Sequence, residues 1–220
     1  MSGTEPAVPR TAGCHDIQVT DSPAEAEGVW ATAGDGGEIR QLTLFFADLV
    51  DSTALSARVE PETYRLVVGR YREQVERIVN GHDGRIGSTK GDGLLAVFGH
   101  PITRGDDAHR ATQAGLEITR AVARLSEQSQ RRFGFGVNVR VGVHRGAVYL
   151  DAGQDDFSGL AANLASGISG AAPPGAVVVS DAVEALIRND FELKVCEPAA
   201  VKGVDEAVPH YVVVSECAAT

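Results

Sequence analysis

Two aspartates stand where the sequence favours the binding of a divalent cation. Asp48 follows the apolar run QLTLFFA, which is typical of a buried strand, and Asp92 lies between two glycines directly before a second apolar run, LLAVF. If the two strands are neighbours in a sheet, both carboxylates reach the same sheet edge. Two carboxylates at one edge can hold a pair of Mg²⁺ or Mn²⁺ ions roughly 3.5–4 Å apart.

The residues beside each aspartate suggest that such cations would face phosphate groups. Asp48 is followed by Asp51, Ser52 and Thr53, which indicate a helix start, and backbone N–H groups at a helix N-terminus attract phosphates. The glycines beside Asp92 allow positive φ and a close approach of the backbone to a ligand. Two plainer interpretations stay open on these residues alone: Asp48 caps the helix, and Asp92 forms an ordinary Asp–Gly hairpin turn.

Hydrophobic periodicity predicts an α+β domain with a mixed sheet. A strand over 41–47 precedes a helix over PETYRLVVGRYREQVERIVNG, and a β-hairpin surrounds the Gly91–Asp92–Gly93 corner. A second long helix covers DDAHRATQAGLEITRAVARL, and VNVRVGV and GAVYL are predicted as two separate strands. The remaining chain gives a short helix rich in small residues, a strand at GAVVVS, a brief helix at DAVEALI, and strands at FELKVC and HYVVV.

The composition is that of one folded domain with tails. The chain has 220 residues, of which 43% are hydrophobic, and we predict a flexible tail over 1–39, a folded domain over 40–216 and a short tail over 217–220. The net charge of −10 argues against nucleic acid or an anionic membrane surface as a partner. No apolar run approaches the roughly 20 residues that cross a bilayer, and three scattered cysteines without a C-x-x-C pair indicate a reduced, cytoplasmic protein.

Six motifs along the chain together resemble those of one family. In order they are FFADLVDST, GSTKGDGLLAVF, VRVGVHRG, DDFSGLAANLAS, PPGAVVVSDAV and VKGVDEAVPHYVVV, and their spacing over 41–214 is similar to that of the class III nucleotidyl cyclase catalytic domain. The resemblance implies a ferredoxin-like fold, in which an antiparallel-centred mixed sheet is flanked by helices, and a dimer. It also implies an enzyme that converts ATP or GTP to the 3′,5′-cyclic nucleotide and pyrophosphate, at a site shared between protomers.

The resemblance assigns the metal half of the site to the first two motifs. Asp48 and Asp92 match the family's pair of metal-binding carboxylates, and Leu49 is expected to contribute to the same metal site. One Mg²⁺ or Mn²⁺ ion would activate the ribose 3′-hydroxyl, and the other would bind the β and γ phosphates. Ser52 and Thr53 are expected to contact the nucleotide.

The resemblance assigns the other half of the site to three later positions. Asp156, seven residues before Asn163, matches the base-selecting acid, and Asn163 matches the transition-state asparagine. An aspartate there can accept a hydrogen bond from the adenine amino group but opposes the guanine O6, so ATP is favoured over GTP. Lys202 matches a family position near the phosphates. Taken without the motifs, these residues are as readily a helix cap, a polar helix residue and a solvated lysine.

Two positions depart from the family pattern. The family's base-reading lysine falls on Ser88, and its transition-state arginine falls on Gly167. A missing charge-stabilising donor costs roughly 10²–10³ in rate and a missing arginine in phosphoryl transfer roughly 10³–10⁵, so we expect weak turnover. Lys90 shares a strand face with Ser88 if the strand is regular, and it is either a substitute cation or a solvent-facing lysine.

These departures leave three interpretations of the function. The first is an adenylate cyclase with reduced activity that forms homodimers. The second is a heterodimer with another cyclase chain, which supplies the missing lysine and arginine. The third is a degenerate domain that binds nucleotide, or only dimerises, and thereby regulates a partner. The features that separate these interpretations are Ser88 and Gly167.

Overall fold

The computed structural model describes residues 37–150 and 157–217, with Lys90 described by its backbone only. The strands are β1 (Glu38–Leu49), β2 (Arg85–Lys90), β3 (Gly93–Phe98), β4 (Val139–Leu150), β5 (Val177–Ser180), β6 (Phe191–Val195) and β7 (His210–Glu216). The helices are α1 (Ser52–Ser56), α2 (Pro61–Gly81), α3 (Asp107–Phe133), α4 (Leu160–Ala171) and α5 (Asp181–Ile187). The seven strands form one sheet in the order β2-β3-β1-β4-β5-β7-β6.

The sheet is mixed, as the sequence predicted. Strands β4 and β5 run parallel, and every other neighbouring pair in the described sheet runs antiparallel. Helices pack against this sheet, which confirms the α+β class.

Strand β4 is longer than the sequence analysis predicted. VNVRVGV and GAVYL, predicted as two strands, form one strand that begins at Val139 and pairs with β1 along its full length. Gly146, at the start of the second predicted segment, lies opposite Leu42 inside this ladder. A Cβ at Gly146 would lie 3.0 Å from the Cβ of Ala161 in α4, so the glycine serves helix packing and does not interrupt the strand.

The sheet separates two apolar clusters, which shows the direction of each β1 side chain. Alternate residues of a strand point to opposite faces. Phe45 and Ala47 belong to the cluster formed with α2 and α3, whereas Leu44 belongs to the cluster formed with α4. Asp48 has the same parity as Leu44 and therefore lies on the α4 side, near the end of β1.

Helix α4 approaches the sheet closely because both surfaces carry small residues. A Cβ at Gly142 of β4 would lie 2.2 Å from the carbonyl oxygen of Ala165, so no larger residue fits at position 142. Ala161 and Ala165 are buried at this contact. This close packing fixes α4 against β4, and β4 in turn pairs with β1, the strand that contains Asp48.

Candidate active site

Asp48 and Asp92 come together at one end of the sheet. Strand β1 pairs antiparallel with β3, and the last pair is Ala47↔Leu94. This register places the end of β1 beside the two-residue turn, Gly91–Asp92, that joins β2 to β3. The carboxyl groups of Asp48 and Asp92 are close enough to interact directly. The structure therefore contains the juxtaposition that the two apolar runs indicated.

The charge balance at this pair fits a bound cation. Burial, followed by the negative charge and the hydrogen bond of Asp92, raises the pKa of Asp48 to about 6, against the opposing effects of Arg140 and the Leu49 N–H. The Oδ2 atom of Asp92 is buried and has no hydrogen-bond partner. A buried carboxylate oxygen that has no hydrogen-bond partner and lies beside a second acid is unfavourable without a counter-charge. Carboxylate oxygens are preferred ligands of Mg²⁺ and Mn²⁺.

The pair supplies only part of a metal coordination shell. Within residues 37–150 and 157–217, no group of three or more His, Cys, Asp or Glu side chains could hold a metal ion. Backbone carbonyls, water and phosphate oxygens are the other oxygen ligands that such a cation takes. Mg²⁺ commonly binds in this way, through one or two carboxylates and the phosphates of a substrate. Leu49, predicted to join the metal site, lines the same pocket as Asp48.

Asp48 opens onto a pocket of about 570 Å³. Ser52 and Thr53, the predicted nucleotide contacts at the start of α1, line this pocket as well. The N-cap residue of α1 is Asp51, so the alternative in which Asp48 caps that helix is wrong. The pocket therefore joins Asp48, one acid of the pair, to Ser52 and Thr53, whose hydroxyl groups could face phosphates.

Arg140 is a site residue that the sequence analysis did not identify. It lies opposite Asp48 in the register of the β1–β4 ladder, and it lines the same pocket. Its Nε atom is buried without a hydrogen-bond partner, while its Nη1 donates to the carbonyl of Gly170 at 3.5 Å. A guanidinium group so placed can meet the phosphates of a ligand in this pocket. The available signal was a charged residue inside the apolar run VNVRVGV.

The residues assigned to the other half of the site line a second pocket, of about 490 Å³. Asn163 and Gly167 of α4 lie one helical turn apart and line it together with Val201, Lys202 and Gly203. None of these residues lines the first pocket. Within the described residues, the two predicted halves of the site thus line two separate pockets.

Gly167 has no room for a side chain in this conformation. A Cβ at this position would lie 2.4 Å from the Cγ1 atom of Val201, which is itself buried. Val201 packs in an apolar cluster with Ile168 and Ala172, so the segment before Lys202 lies directly on the helix. Val201 therefore occupies the space into which the side chain of the family's arginine would extend from position 167.

Gly167→Ala is expected to lower the free energy of unfolding by about 1–3 kcal/mol, because the added methyl group overlaps Val201. Gly170→Ala on the same helix is the matched control, since a Cβ there meets no atom within 4 Å. We expect that control to be neutral or stabilising by up to about 1 kcal/mol. Urea unfolding measures the difference. Equal stability of the two variants would show that Val201 yields without cost.

The other predicted nucleotide contacts lie at the border of the described structure. Ser88 is exposed in the edge strand β2. Lys90 ends that strand, and its side chain lies outside the described part, as does the whole of Asp156. Phe157, the residue after Asp156, is buried against Gly87, next to Ser88 in the chain. The roles assigned to Ser88, Lys90 and Asp156 stay predictions.

Comparison with known proteins identifies the family. The family model named adenylate and guanylate cyclase catalytic domain matches residues 36–215. The chain belongs to this family. The cyclase domain is 32% identical over 169 residues to an adenylate cyclase of Streptomyces coelicolor, covering 76% of the chain and 40% of that relative. It is 30% identical over 168 residues to an adenylate cyclase of Glutamicibacter nicotianae, covering 75% of the chain and 37% of that relative.

A solved structure supports the same assignment. The adenylyl cyclase CyaB from P. aeruginosa superposes with a TM-score of 0.76 at 26% identity, covering 83% of this chain and 97% of that chain. The resemblance found in the six motifs and the fold that it implied are confirmed. The chain spans less than half of the length of the two relatives named above.

Several expectations about the whole chain stay predictions. Strand β1 begins at Glu38, slightly ahead of the predicted domain start at residue 40. The same holds for the tails over 1–39 and 217–220, the cytoplasmic location and the dimer. In the described part of the chain, no helix combines the length and the hydropathy that crossing a bilayer requires.

Proposed function

We propose that this cyclase domain slowly converts ATP to 3′,5′-cyclic AMP and pyrophosphate, at a site shared by two protomers, as part of a signalling pathway. The observation that carries the proposal is the contact between the carboxyl groups of Asp48 and Asp92, with a buried oxygen of Asp92 left unpartnered. Cyclase domains of this family generally use divalent metal ions. We assign two Mg²⁺ or Mn²⁺ ions to this pair.

The acidic half of the site would hold the ions and the triphosphate. Asp48 and Asp92 would supply carboxylate oxygens, and Leu49 would supply its backbone carbonyl. When bound, the ions activate the ribose 3′-hydroxyl for in-line attack on the α-phosphate and neutralise charge on the pyrophosphate. Arg140 would pair with phosphate oxygens in the same pocket, and the hydroxyl groups of Ser52 and its neighbour would donate hydrogen bonds to them.

The complementary half would come from a second protomer. Asn163 and Lys202 line a pocket that shares no residue with the acidic pocket. In a symmetric dimer, the acidic pocket of each protomer can face the Asn163 pocket of its partner. Asn163 would donate a hydrogen bond from its side-chain N–H to the reacting phosphate, and Lys202 would pair with the terminal phosphates. Asp156 would accept from the adenine amino group, which is the reason for assigning ATP rather than GTP.

The complementary half would limit the rate. Ser88 and Gly167 stand where the family pattern has lysine and arginine. An arginine in phosphoryl transfer is worth roughly 10³–10⁵ in rate. Arg140 still brings one guanidinium group to the acidic pocket. We therefore expect turnover that is slow but measurable.

Product formation from ATP and from GTP, each with Mg²⁺ or Mn²⁺, tests the proposal on the full chain. We expect cyclic AMP from ATP at a low rate and less cyclic GMP from GTP, because Asp156 opposes the guanine O6. Asp48→Asn controls for contaminating activity. Cyclic GMP as the main product would contradict the assigned substrate, and a rate that persists in Asp48→Asn would contradict the assigned site.

A heterodimer is the second candidate, and the closure of Val201 over Gly167 favours it. The acidic half keeps Asp48, Asp92 and Arg140, whereas the complementary half lacks its arginine and has no space for one. A partner cyclase chain that keeps the lysine and arginine but lacks its own metal aspartates should raise cyclic AMP formation by about 10²-fold or more. Absence of any gain would count against the heterodimer. ATP binding with no product in either case would indicate the regulatory module.

A further inference from the structure

The two acids of the pair are held in different ways. Asp48 lies in β1, which is hydrogen-bonded to β3 on one side and to β4 on the other. Asp92 lies in the turn of the β2–β3 hairpin, and β2 is an edge strand. Gly91 has a φ of 64°, the left-handed value that a type II′ turn requires at its first central position. The position of Asp92 therefore depends on this turn.

Electrostatic repulsion between Asp48 and Asp92 acts on the Gly91–Asp92 turn. Two ionised carboxylates in contact repel each other, and the β1–β4 ladder, which includes Asp48, restrains that residue. The turn is less confined, because a Cβ at Gly91 would meet no atom within 4 Å. Without a further contact, repulsion would move Asp92 rather than Asp48.

Arg72 of α2 provides such a contact. Its Nη2 donates a hydrogen bond to the carbonyl oxygen of Gly91. The helix itself is anchored in the core by its buried residues Val68, Tyr71 and Val75. The guanidinium charge also reaches the surroundings of the acidic pair, where it opposes the rise in the Tyr71 pKa that burial and the two aspartates cause. A helix fixed in the core is thus tied to the hairpin tip.

We propose that Arg72 is a positioning residue, which holds the Gly91–Asp92 turn so that Asp92 meets Asp48 before a cation binds. The proposal rests on the proposed function in one respect, namely that the acidic pair takes a divalent cation. Arg72 acts through a backbone carbonyl and needs no contact with the cation or the nucleotide.

The sign of a change in Mn²⁺ affinity separates positioning from a simple effect of charge. Removal of a positive charge beside a cation site strengthens cation binding when charge alone acts. Removal of a group that orients a metal ligand weakens binding, typically by about 10–100-fold. Arg72→Ala is therefore expected to weaken Mn²⁺ binding by about 10-fold or more.

Electron paramagnetic resonance of free Mn²⁺ measures this affinity on the full chain. The variants are Arg72→Ala, Arg72→Lys and the control Arg65→Ala, because Arg65 is an exposed arginine of the same helix. We expect wild-type affinity in the control and an intermediate value in Arg72→Lys. Amide hydrogen exchange at the β2–β3 turn of the metal-free protein should rise in the Arg72 variants only. Unchanged or tighter Mn²⁺ binding in Arg72→Ala, or unchanged exchange, would overturn the proposal.

These outcomes are distinguishable from failure of the proposed function. Mn²⁺ binding that requires Asp92 and Arg72, without formation of a cyclic nucleotide, would refute the function and leave the positioning role. Cyclic AMP formation with Mn²⁺ binding indifferent to Arg72 would refute the positioning role and leave the function. Absence of Mn²⁺ binding by the wild-type chain would refute both.

Discussion

Asp92→Asn is expected to lower cyclic AMP formation by at least about 10³-fold, because metal ions supply several kcal/mol of transition-state stabilisation. Asparagine keeps the size of aspartate and its tolerance of turns, so the hairpin should still form. The substitution removes one of the two charges that would hold the cations. Steady-state cyclic AMP formation from Mn-ATP measures the effect.

The matched control for this prediction is Asp190→Asn. Asp190 is an exposed acid between α5 and β6 and lines neither pocket. Thermal unfolding should show that both variants fold, and only Asp92→Asn should lose activity. A rate close to that of the wild type in Asp92→Asn would remove the acidic pair from the mechanism.

Two inactive variants should restore activity when they are mixed, because the proposed site is shared between protomers. Asp92→Asn disables the acidic half, and Asn163→Ala disables the complementary half with an expected loss of roughly 10²–10³. Free exchange of equal amounts gives half mixed dimers with one intact site each, so about a quarter of the wild-type activity should return. Cyclic AMP formation in the mixture, relative to each variant alone, measures the recovery.

The control for mixing is the double variant Asp92→Asn/Asn163→Ala combined with Asp92→Asn, since no dimer in that mixture has an intact site. We expect no recovery there. If mixed dimers form by size-exclusion and mass analysis but the first mixture stays inactive, the shared site is wrong. Full activity of Asn163→Ala alone would instead remove Asn163 from the reaction.

The acidic pair could be predicted because its signals are local. Asp48 ends one apolar run and Asp92 precedes another, and strand periodicity places both near strand ends. Their contact depended on whether β1 and β3 are neighbours, which is a pairing between segments that lie far apart in the chain. The order of the six motifs supported that pairing, and the register Ala47↔Leu94 provides it.

Arg140 and β4 show where local patterns were insufficient. Arg140 was visible as a charge inside an apolar run, but its place in the site follows from the register Asp48↔Arg140. Gly146 weakens the local strand signal. Strand β4 nevertheless continues through Gly146, because β1 pairs with it without interruption. In both cases the deciding information is the pairing partner.

The closure over Gly167 and the contact of Arg72 could not be predicted from the sequence. A glycine at position 167 shows that a side chain is missing, but only tertiary packing shows that Val201 fills the space. Arg72 is one of several arginines on α2, and only its hydrogen bond to Gly91 distinguishes it. Such features depend on segments brought together by the fold.

Anomalous diffraction from crystals grown with Mn²⁺ and an ATP analogue that cannot cyclise tests the proposed metal site at Asp48 and Asp92. Manganese peaks are expected in contact with the carboxylates of both Asp48 and Asp92, roughly 3.5–4 Å apart where two ions are bound. The phosphates should lie in the pocket lined by Arg140. Nucleotide bound with no manganese at the two aspartates, or manganese bound only elsewhere, would contradict it.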